Sequence, residues 1–368
     1  MSTRSCSIET EAPGNFVKNL PIIAGLFLSL AASWSAASAQ QPSALFYLME
    51  TQKSVNSFEA HIDKIDVLVP TWYGVDKHGL VNGAPNPFVL KLSKQHRLPI
   101  TPIISLADRK AFHDLVGDEA AKKVMIDTML DQARLYGYAG YQFDFENIDW
   151  RDRDGLTLLA KQTAQGLHGK GLTLSVAVVP NGPGYAGRGP FAKWMWEYWR
   201  AAYDIKALAE SVDLISLMTY DQHTRWTTPG PVGGMPWTLD QLKYALTLAP
   251  KEKISLGIPL YGYHWYTDNP VKPDGTEASN IAGAYFDADE SIPTARQYDV
   301  TIQWDAVEHE SWYYFYRDGM REWVFMPDAH SFRDRYAVLK QYGLQGFSSW
   351  VLGSEDPKVW DELPNAQR

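Results

Sequence analysis

The sequence predicts a (β/α)8 TIM barrel with a small α+β insertion between the seventh and eighth strands. Eight short apolar runs follow one another along the chain, and helix-like segments lie between most of them. Barrels of this kind occupy about 250 residues or more, which the 368-residue chain can supply. The main competing architecture is an open doubly wound sheet, which would require a glycine-rich fingerprint after its first strand. None follows Met49, so the barrel is favoured.

The apolar runs are the candidate strands, and they lie at 44–49, 65–70, 98–105, 140–148, 172–180, 212–220, 254–261 and 346–352. Segments 119–136 and 154–169 between them are helix-like. Strands that alternate with helices form a parallel sheet with right-handed crossovers, because each helix returns the chain to the end of the sheet where every strand begins. The carboxyl ends of all eight strands should therefore meet on one face of the barrel, where such folds place their active sites.

The interval between the seventh and eighth runs is too long for a single crossover. Segments 301–304, 312–317 and 321–326 within it alternate as antiparallel strands do. Asp318-Gly319 between the last two is a strong hairpin signal. We therefore expect an α+β insertion at 266–341, within one domain at 40–368.

Residues 1–39 have the features of a secretory signal peptide. Arg4 and Lys18 provide a basic flank, 20–32 is apolar, and Ala37-Ser38-Ala39 fits the small-residue cleavage pattern. We expect cleavage after residue 39 and a secreted or periplasmic protein, with an uncleaved membrane anchor as the alternative. The single cysteine, Cys6, lies in this segment, so the mature chain would have no disulfide and no thiol chemistry.

The formal charge of −9 excludes the broad basic surface that nucleic-acid binding requires. The chain has no H-E-x-x-H motif or similar metal-ligand cluster, and it has no G-x-S-x-G nucleophile elbow. We therefore expect neither a metal nor a cofactor, and we expect a monomer.

The fourth run carries the strongest chemical signal. It reads Gly140-Tyr-Gln-Phe-Asp-Phe-Glu-Asn-Ile148, and side chains on a strand alternate between faces. Gln142, Asp144 and Glu146 therefore share one face, which should point into the barrel. Two inward carboxylates are costly unless used or paired, and their repulsion should raise one pKa as a general acid needs. For this strand alone, a polar plug in the barrel floor or a surface strand remains an alternative.

Four segments at consistent strand positions resemble motifs of glycoside hydrolase family 18, the chitinase-like barrels. The fourth run resembles the D-x-x-D-x-D-x-E signature, and 217–221 (LMTYD) resembles the sixth-strand M-x-Y-D motif. Segment 257–262 (GIPLYG) is similar to the seventh-strand G-x-P-x-Y-G, and 346–350 (GFSSW) to the eighth-strand segment. Segments 350–357, 220–223 and 229–231 resemble the bacterial branch that includes spore and cell-wall hydrolases. The resemblance spans 44–357 in the right order.

This resemblance implies roles for individual residues. Glu146 would be the general acid, Asp144 would orient the 2-acetamido group of the substrate, and Tyr220 would donate to the acetamide carbonyl. Asp221 would bind a sugar hydroxyl and Trp350 would stack beneath the sugar. The implied activity is substrate-assisted, retaining hydrolysis of a β-linked N-acetylglucosamine polysaccharide, either chitin-like or peptidoglycan.

Further substrate-binding candidates are Met218 and Tyr261 from the motifs, Gln142 from the inward face, and Trp72 from the loop after the second run. Trp226, Trp237 and Trp265 also fall in loops after predicted strands, which suits a sugar cleft. Trp194, Trp196 and Trp199 lie in or near a predicted helix, and we expect packing roles for them.

The chain departs from the family signature at Ala139 and Gln142, where two aspartates are usual. Gln142 can donate to Asp144 but cannot share its charge, which affects the expected pH optimum and turnover rather than the fold. Two functional alternatives remain open. The first is a non-catalytic sugar-binding barrel of lectin type, although such members usually lose the acid that Glu146 supplies. The second is a two-carboxylate glycosidase with Asp221 as its nucleophile.

Overall fold

The computed structural model describes residues 41–182, 188–267 and 281–366. The signal peptide predicted at 1–39 lies outside these ranges. Among the described residues, no helix is long and apolar enough to cross a membrane.

Strands and helices alternate along the described chain. The strands, in chain order, are β1 (Ser43–Leu48), β2 (Val67–Pro70), β3 (Tyr73–Val75), β4 (Val81–Gly83), β5 (Ile103–Leu106), β6 (Gly140–Phe145), β7 (Thr173–Val178), β8 (Leu214–Leu217), β9 (Ile254–Pro259), β10 (Gly262–Thr267), β11 (Ile281–Phe286), β12 (Gln303–Asp305), β13 (Glu310–Arg317), β14 (Met320–Met326) and β15 (Gly346–Trp350). The helices are α1 (Gln52–His61), α2 (Pro87–Gln95), α3 (Arg109–Gly117), α4 (Glu119–Tyr136), α5 (Arg153–His168), α6 (Pro190–Met195), α7 (Ile205–Ala209), α8 (Met235–Leu246), α9 (Ala288–Gln297) and α10 (Ala329–Tyr342).

The first sheet is the predicted barrel. Its order is β2-β1-β15-β9-β8-β7-β6-β5, followed by β3 and β4, and every pair is parallel except β3 with β4. A bridge between Leu68 and Ile100 joins the two ends, where Leu68 N donates to Pro99 O at 3.0 Å and Thr101 N donates to Leu68 O at 2.9 Å. The eight parallel strands fall at the eight predicted runs, and the fold class is confirmed.

Two details of this sheet differ from the predicted elements. The third barrel strand begins at Ile103 rather than at residue 98. Proline has no N–H to donate, and Pro99 and Pro102 interrupt the earlier part of the run. The hairpin of β3 and β4 follows the second barrel strand, and β3 pairs with β5.

Polar residues fix the starts of several barrel helices. The carboxylates of Asp108 and Asp118 accept hydrogen bonds from N–H groups in the first turns of α3 and α4, and Asp328 does so for α10. The residue after α4, Gly137, adopts the left-handed conformation with φ 79°, which favours glycine. The three aspartates thus fix where these helices begin, and Gly137 fixes where α4 ends.

Strand β6, which carries candidate catalytic residues, has side chains in two different environments. Its outward side chains, Tyr141, Phe143 and Phe145, are buried in the main core between the strands and the helix layer. Its inward Gln142 is fully buried in the barrel interior. There Gln142 Nε2 donates to Ser175 Oγ at 3.0 Å and to Ser216 Oγ at 3.1 Å, which forms a polar floor. Alternation along the strand was therefore predicted correctly.

The second sheet forms the α+β insertion between the seventh and eighth barrel strands. Its order is β11-β10-β14-β13-β12, and β13 and β14 pair as the hairpin expected around Asp318-Gly319. The sheet begins at Gly262 and ends at Met326. Helix α10, which fell inside the expected bounds of 266–341, buries Phe332 and Leu339 in the barrel core.

A buried ion pair joins this insertion to the barrel. Arg335 of α10 and Glu310 of β13 have no exposed surface, and their nearest nitrogen and oxygen lie 3.2 Å apart. Arg335 also donates to the carbonyls of Gly233 and His309, and Glu310 accepts from the N–H of Val232 at 2.8 Å. The pair therefore holds the loop after β8 against the second sheet.

Candidate active site

The two acidic side chains of the fourth strand lie at its carboxyl end. Asp144 is near the end of β6, and Glu146 follows it, with its N–H donating to Leu106 O of β5 at 3.2 Å. The next residue, Asn147, has φ 56° and turns the chain away from the strand direction. Both carboxyl groups therefore stand at the face of the barrel where the predicted catalytic groups should converge.

A cleft of about 650 Å3 opens at this face. It is lined by seven of the nine residues that the sequence indicated as site residues, namely Asp144, Glu146, Met218, Tyr220, Asp221, Tyr261 and Trp350. They come from the ends of β6, β8, β9 and β15, which are far apart in sequence. Such convergence of distant strand ends is what a parallel barrel provides.

Two of the nine residues do not line this cleft. Gln142 lies in the polar floor of the barrel, where its amide is bound by the two serines described above. Its carbonyl oxygen is buried without a partner in the described chain. Trp72 is 5% exposed, and its Nε1 donates to Glu50 Oε1 at 2.6 Å. Substrate binding by these two residues stays a prediction that the cleft lining does not support.

Asp221 is held in place by two tyrosines of the segment that leads from the barrel into the second sheet. Tyr261 Oη donates to Asp221 Oδ1 at 2.5 Å, and Tyr263 Oη donates to the same atom at 3.0 Å. Asp221 itself has φ 59°, a left-handed conformation that aspartate tolerates better than most residues. The sequence indicated Tyr261 but not Tyr263, which also lines the cleft.

Burial governs the acidity of all three carboxyl groups in the cleft. It raises the pKa of Asp144, whose Oδ1 has no hydrogen-bond partner within the described residues. Burial, then the charge of Asp144, then that of Asp221 raise the pKa of Glu146 to about 8. The pKa of Asp221 is raised by burial and lowered by the Tyr261 and Tyr263 hydrogen bonds. Glu146 is therefore the group best able to keep a proton at neutral pH.

One wall of the cleft is aromatic, and most of it was missed from the sequence. Phe191, Trp194 and Trp199 lie on α6 and the π-helical turn Trp196–Arg200 that follows it. Phe191 is 66% exposed and Trp194 is 39% exposed, so large apolar surfaces face the cleft. Trp194 and Trp199 thus line the cleft, where the sequence predicted packing roles for them. The spacing of 191, 194 and 199 is the sequence signal for one helical face.

The tryptophans predicted in loops divide into two groups. Trp226 and Trp237 line the cleft as expected. Trp265 is buried in the second sheet, where its Nε1 donates to Thr224 O at 3.1 Å. It therefore supports the loop after β8 and does not form cleft surface.

Outside the cleft, Asp287, Asp289 and Glu290 lie close enough together to hold a metal ion. Lys53 Nζ already pairs with Asp287 at 2.8 Å and with Asp289 at 3.0 Å. This cluster begins α9 and includes no cleft residue, so we assign it no catalytic role.

A family model described as Glycosyl hydrolases family 18 matches residues 46–355. The Cortical fragment-lytic enzyme of Bacillus subtilis (strain 168) is 28% identical over 295 residues, which cover 78% of this chain and 64% of that protein. The chain thus spans just under two thirds of that relative. Chitotriosidase-1 of Mus musculus is 26% identical over 278 residues, covering 67% of this chain and 56% of the relative.

Solved structures share the fold at lower sequence identity. The spore cortex-lytic enzyme SleL of Bacillus cereus superposes with a TM-score of 0.76 at 21% identity, covering 87% of this chain and 73% of that one. A chitinase from Chromobacterium violaceum ATCC 12472 superposes with a TM-score of 0.75 at 24% identity, covering 87% and 97%.

Proposed function

Because this chain belongs to glycosyl hydrolases family 18, we propose that it hydrolyses β-linked polymers of N-acetylated amino sugars, either chitin-like or peptidoglycan. One observation supports this proposal above the others. A single cleft brings Glu146, which burial favours in its protonated form, together with Asp144, Asp221, Tyr220 and Trp350. The cleft thus has an acid, a neighbouring carboxylate and aromatic surface for a pyranose ring.

In the first step, Glu146 donates its proton to the glycosidic oxygen. The C1–O bond then breaks, and the leaving sugar departs with that proton as a hydroxyl group. The acetamido carbonyl oxygen of the same substrate sugar attacks C1 and forms a cyclic oxazolinium cation. No second carboxylate attacks the sugar, because the acetamido oxygen is the nucleophile.

Asp144 acts on the acetamido group. Its Oδ1 is free of partners within the described chain and can accept the acetamide N–H. The negative charge of the carboxylate then stabilises the positive charge that develops on the oxazolinium ring. Tyr220, which lines the same cleft, donates its hydroxyl to the acetamide oxygen.

In the second step, the Glu146 carboxylate takes a proton from water, and the water oxygen attacks C1. The ring opens, the acetamido group is restored and Glu146 regains the proton that it lost. Two displacements at C1 leave the anomeric configuration unchanged, so the enzyme retains it.

We further propose that the protein is exported and acts as a monomer on a wall polymer outside the cytoplasm. The basic flank, apolar run and Ala37-Ser38-Ala39 site of the first 39 residues support export. The name of the Bacillus subtilis relative, a cortical fragment-lytic enzyme, agrees with a wall substrate.

The proposal is tested by hydrolysis of a chromogenic chitobioside by the wild-type protein and Glu146→Gln. General acid catalysis contributes about 10²–10⁴-fold, so the variant should lose at least about a hundredfold in kcat while still binding the sugar. A matched glycoside without the 2-acetamido group should not be cleaved. Cleavage of that glycoside would instead favour a two-carboxylate mechanism with Asp221. Sugar binding without turnover by the wild type would favour a lectin.

A further inference from the structure

Two neighbouring hydrogen-bond donors in the cleft wall have no acceptor among the described residues. They are Nε1 of Trp199 and Nε of Arg200, and both atoms are shielded from solvent. Both residues line the cleft that contains Glu146. Buried donors in proteins are almost always paired, so these two indicate an acceptor that the chain itself does not supply.

Arg200 also carries a charge that no carboxylate in the described chain balances. Burial lowers its pKa, and no neighbouring charge contributes to that shift. Two other arginines differ in this respect. Arg225 acts on the charge of Asp221, and Arg153 forms an ion pair with Asp204. A half-buried guanidinium without a counter-ion favours a ligand that brings a negative charge.

The backbone that carries Arg200 is fixed relative to the catalytic strand. Asn181 Nδ2 donates to the backbone oxygen of Arg200 at 3.1 Å and to that of Tyr203 at 3.4 Å. Tyr203 Oη in turn donates to the carbonyl of Phe145 in β6 at 2.6 Å. These hydrogen bonds already hold the backbone of Arg200 in place. Ligand binding therefore needs to order less of the protein, as in a pre-organised site.

We propose that Arg200 and Trp199 form a subsite for a carboxylate on the glycan, so that the preferred substrate is an amino-sugar polymer bearing acid groups. This inference deepens the proposed function and rests on it. A guanidinium fork binds a carboxylate through parallel N–H bonds, and the indole adds a further donor. The lactyl group of a muramic residue that carries no stem peptide is a carboxylate of this kind. Chitin, a polymer of N-acetylglucosamine, has none.

The test compares three glycans of equal length. The first alternates N-acetylglucosamine with N-acetylmuramic acid and carries no peptide, the second is its carboxamide derivative, and the third is a chitooligosaccharide. The wild-type protein should show kcat/KM at least about tenfold higher for the acid than for the carboxamide. Arg200→Gln should remove most of that preference, and Arg200→Lys should restore part of it. Added salt should weaken binding of the acid more than binding of the carboxamide.

Arg188→Gln is the matched control, because Arg188 is exposed just before α6 and lies outside the cleft lining. It should keep the preference for the acid form. Thermal unfolding followed by circular dichroism verifies that each variant is folded. Equal kcat/KM for acid and carboxamide in the wild type would overturn the proposal, as would an equal loss on both in Arg200→Gln.

Binding measurements distinguish failure of this inference from failure of the proposed function. Calorimetric titration of Glu146→Gln, with and without Arg200→Gln, measures affinity for the acid and the carboxamide without turnover. Absence of hydrolysis of all three glycans by the wild type would contradict the proposed function. A preference for the acid that depends on Arg200 in these titrations would still support the subsite, and its absence would overturn it.

Discussion

The hydroxyl of Tyr261 donates a 2.5 Å hydrogen bond to the carboxylate of Asp221, and both side chains line the cleft that contains Glu146. This bond lowers the pKa of Asp221 against the larger effect of burial, which raises it. The charge of Asp221 in turn raises the pKa of Glu146. The hydroxyl of Tyr261, which lies outside strand β6, thus influences the pKa of Glu146 through Asp221.

Tyr261→Phe should therefore narrow the pH range of activity. Without the hydroxyl, the pKa of Asp221 rises and its carboxyl group carries less charge near neutral pH, while the acidic limb of kcat/KM, which Asp144 sets, stays in place. A less charged Asp221 raises the pKa of Glu146 less, so the basic limb moves down. A hydrogen bond to a charged group contributes about 1.5–3 kcal/mol, and we expect kcat/KM at neutral pH to fall about tenfold.

The measurement is the pH profile of kcat/KM on a chromogenic chitobioside. Tyr136→Phe is the control, because Tyr136 is exposed at the end of α4. A profile for Tyr261→Phe that overlays that of the wild type would contradict the proposed coupling.

The wild-type protein should have a bell-shaped pH profile. The proposed mechanism needs Glu146 protonated and Asp144 charged. Burial raises the pKa of Glu146 to about 8 and that of Asp144 to about 6. Activity should be greatest between these values, fall at lower pH as Asp144 becomes neutral, and fall at higher pH as Glu146 loses its proton. A profile that stays flat from about pH 5 to about pH 9 would disprove this assignment.

Glu146→Gln should stabilise the protein at alkaline pH. Burial raises the pKa of Glu146 from 4.5 to about 8, so between these values the folded state holds a proton that the unfolded chain has released. The free energy of unfolding therefore falls as pH rises through this window. A neutral glutamine removes this loss, so the Tm of the variant should exceed that of the wild type by about 2–4 °C near pH 8.

Near pH 4 the two proteins should unfold at similar temperatures, because Glu146 is then neutral in the folded and unfolded states. Glu59→Gln on the exposed face of α1 should not change Tm at either pH. The same small Tm difference at both pH values would mean that burial of the charge is not the cause.

Arg335→Met should destabilise the whole fold. It leaves the buried carboxylate of Glu310 without its partner, and removal of one member of a buried ion pair costs about 3–5 kcal/mol. Urea denaturation measures this loss. Arg333→Met, two residues away on the exposed face of α10, should change the free energy of unfolding by less than about 0.5 kcal/mol. Equal effects of the two substitutions would show that the buried pair is not important for stability.

Trp194→Ala should weaken binding of long substrates. Trp194 is 39% exposed and lines the cleft, where an aromatic face can cover the apolar side of a sugar ring. We expect KM for a hexasaccharide to rise about three- to tenfold, with a smaller change for a disaccharide. Trp150→Ala, which removes an exposed tryptophan outside the cleft lining, is the control. An equal rise in KM for the hexasaccharide and the disaccharide would contradict a role of Trp194 in binding long substrates.

The barrel could be predicted because its signals are local. The period of two along β6 placed Asp144 and Glu146 on the inner face and the three aromatic side chains on the outer one. The hairpin at Asp318-Gly319 was predicted from two residues and is present. Such patterns depend only on the geometry of a strand or a turn.

The cleft wall could not be predicted in the same way. Trp72 and Trp265 follow predicted strands, as Trp237 does, but they are buried by contacts with Glu50 and the Thr224 loop. Trp194 lies on a helix and still faces the cleft. The position of a tryptophan along the chain does not specify whether its side chain faces the cleft or packs inside the protein.

By itself the sequence determined the order of strands and helices, the face of each residue on β6, and the motifs that the chain shares with its family. The tertiary structure alone decided which tryptophans line the cleft, that Gln142 lies in the floor beneath it, and that Arg200 lines the cleft with no counter-ion among the described residues. The physical reason is that burial and charge compensation depend on neighbours far apart in sequence, which meet only when the barrel closes.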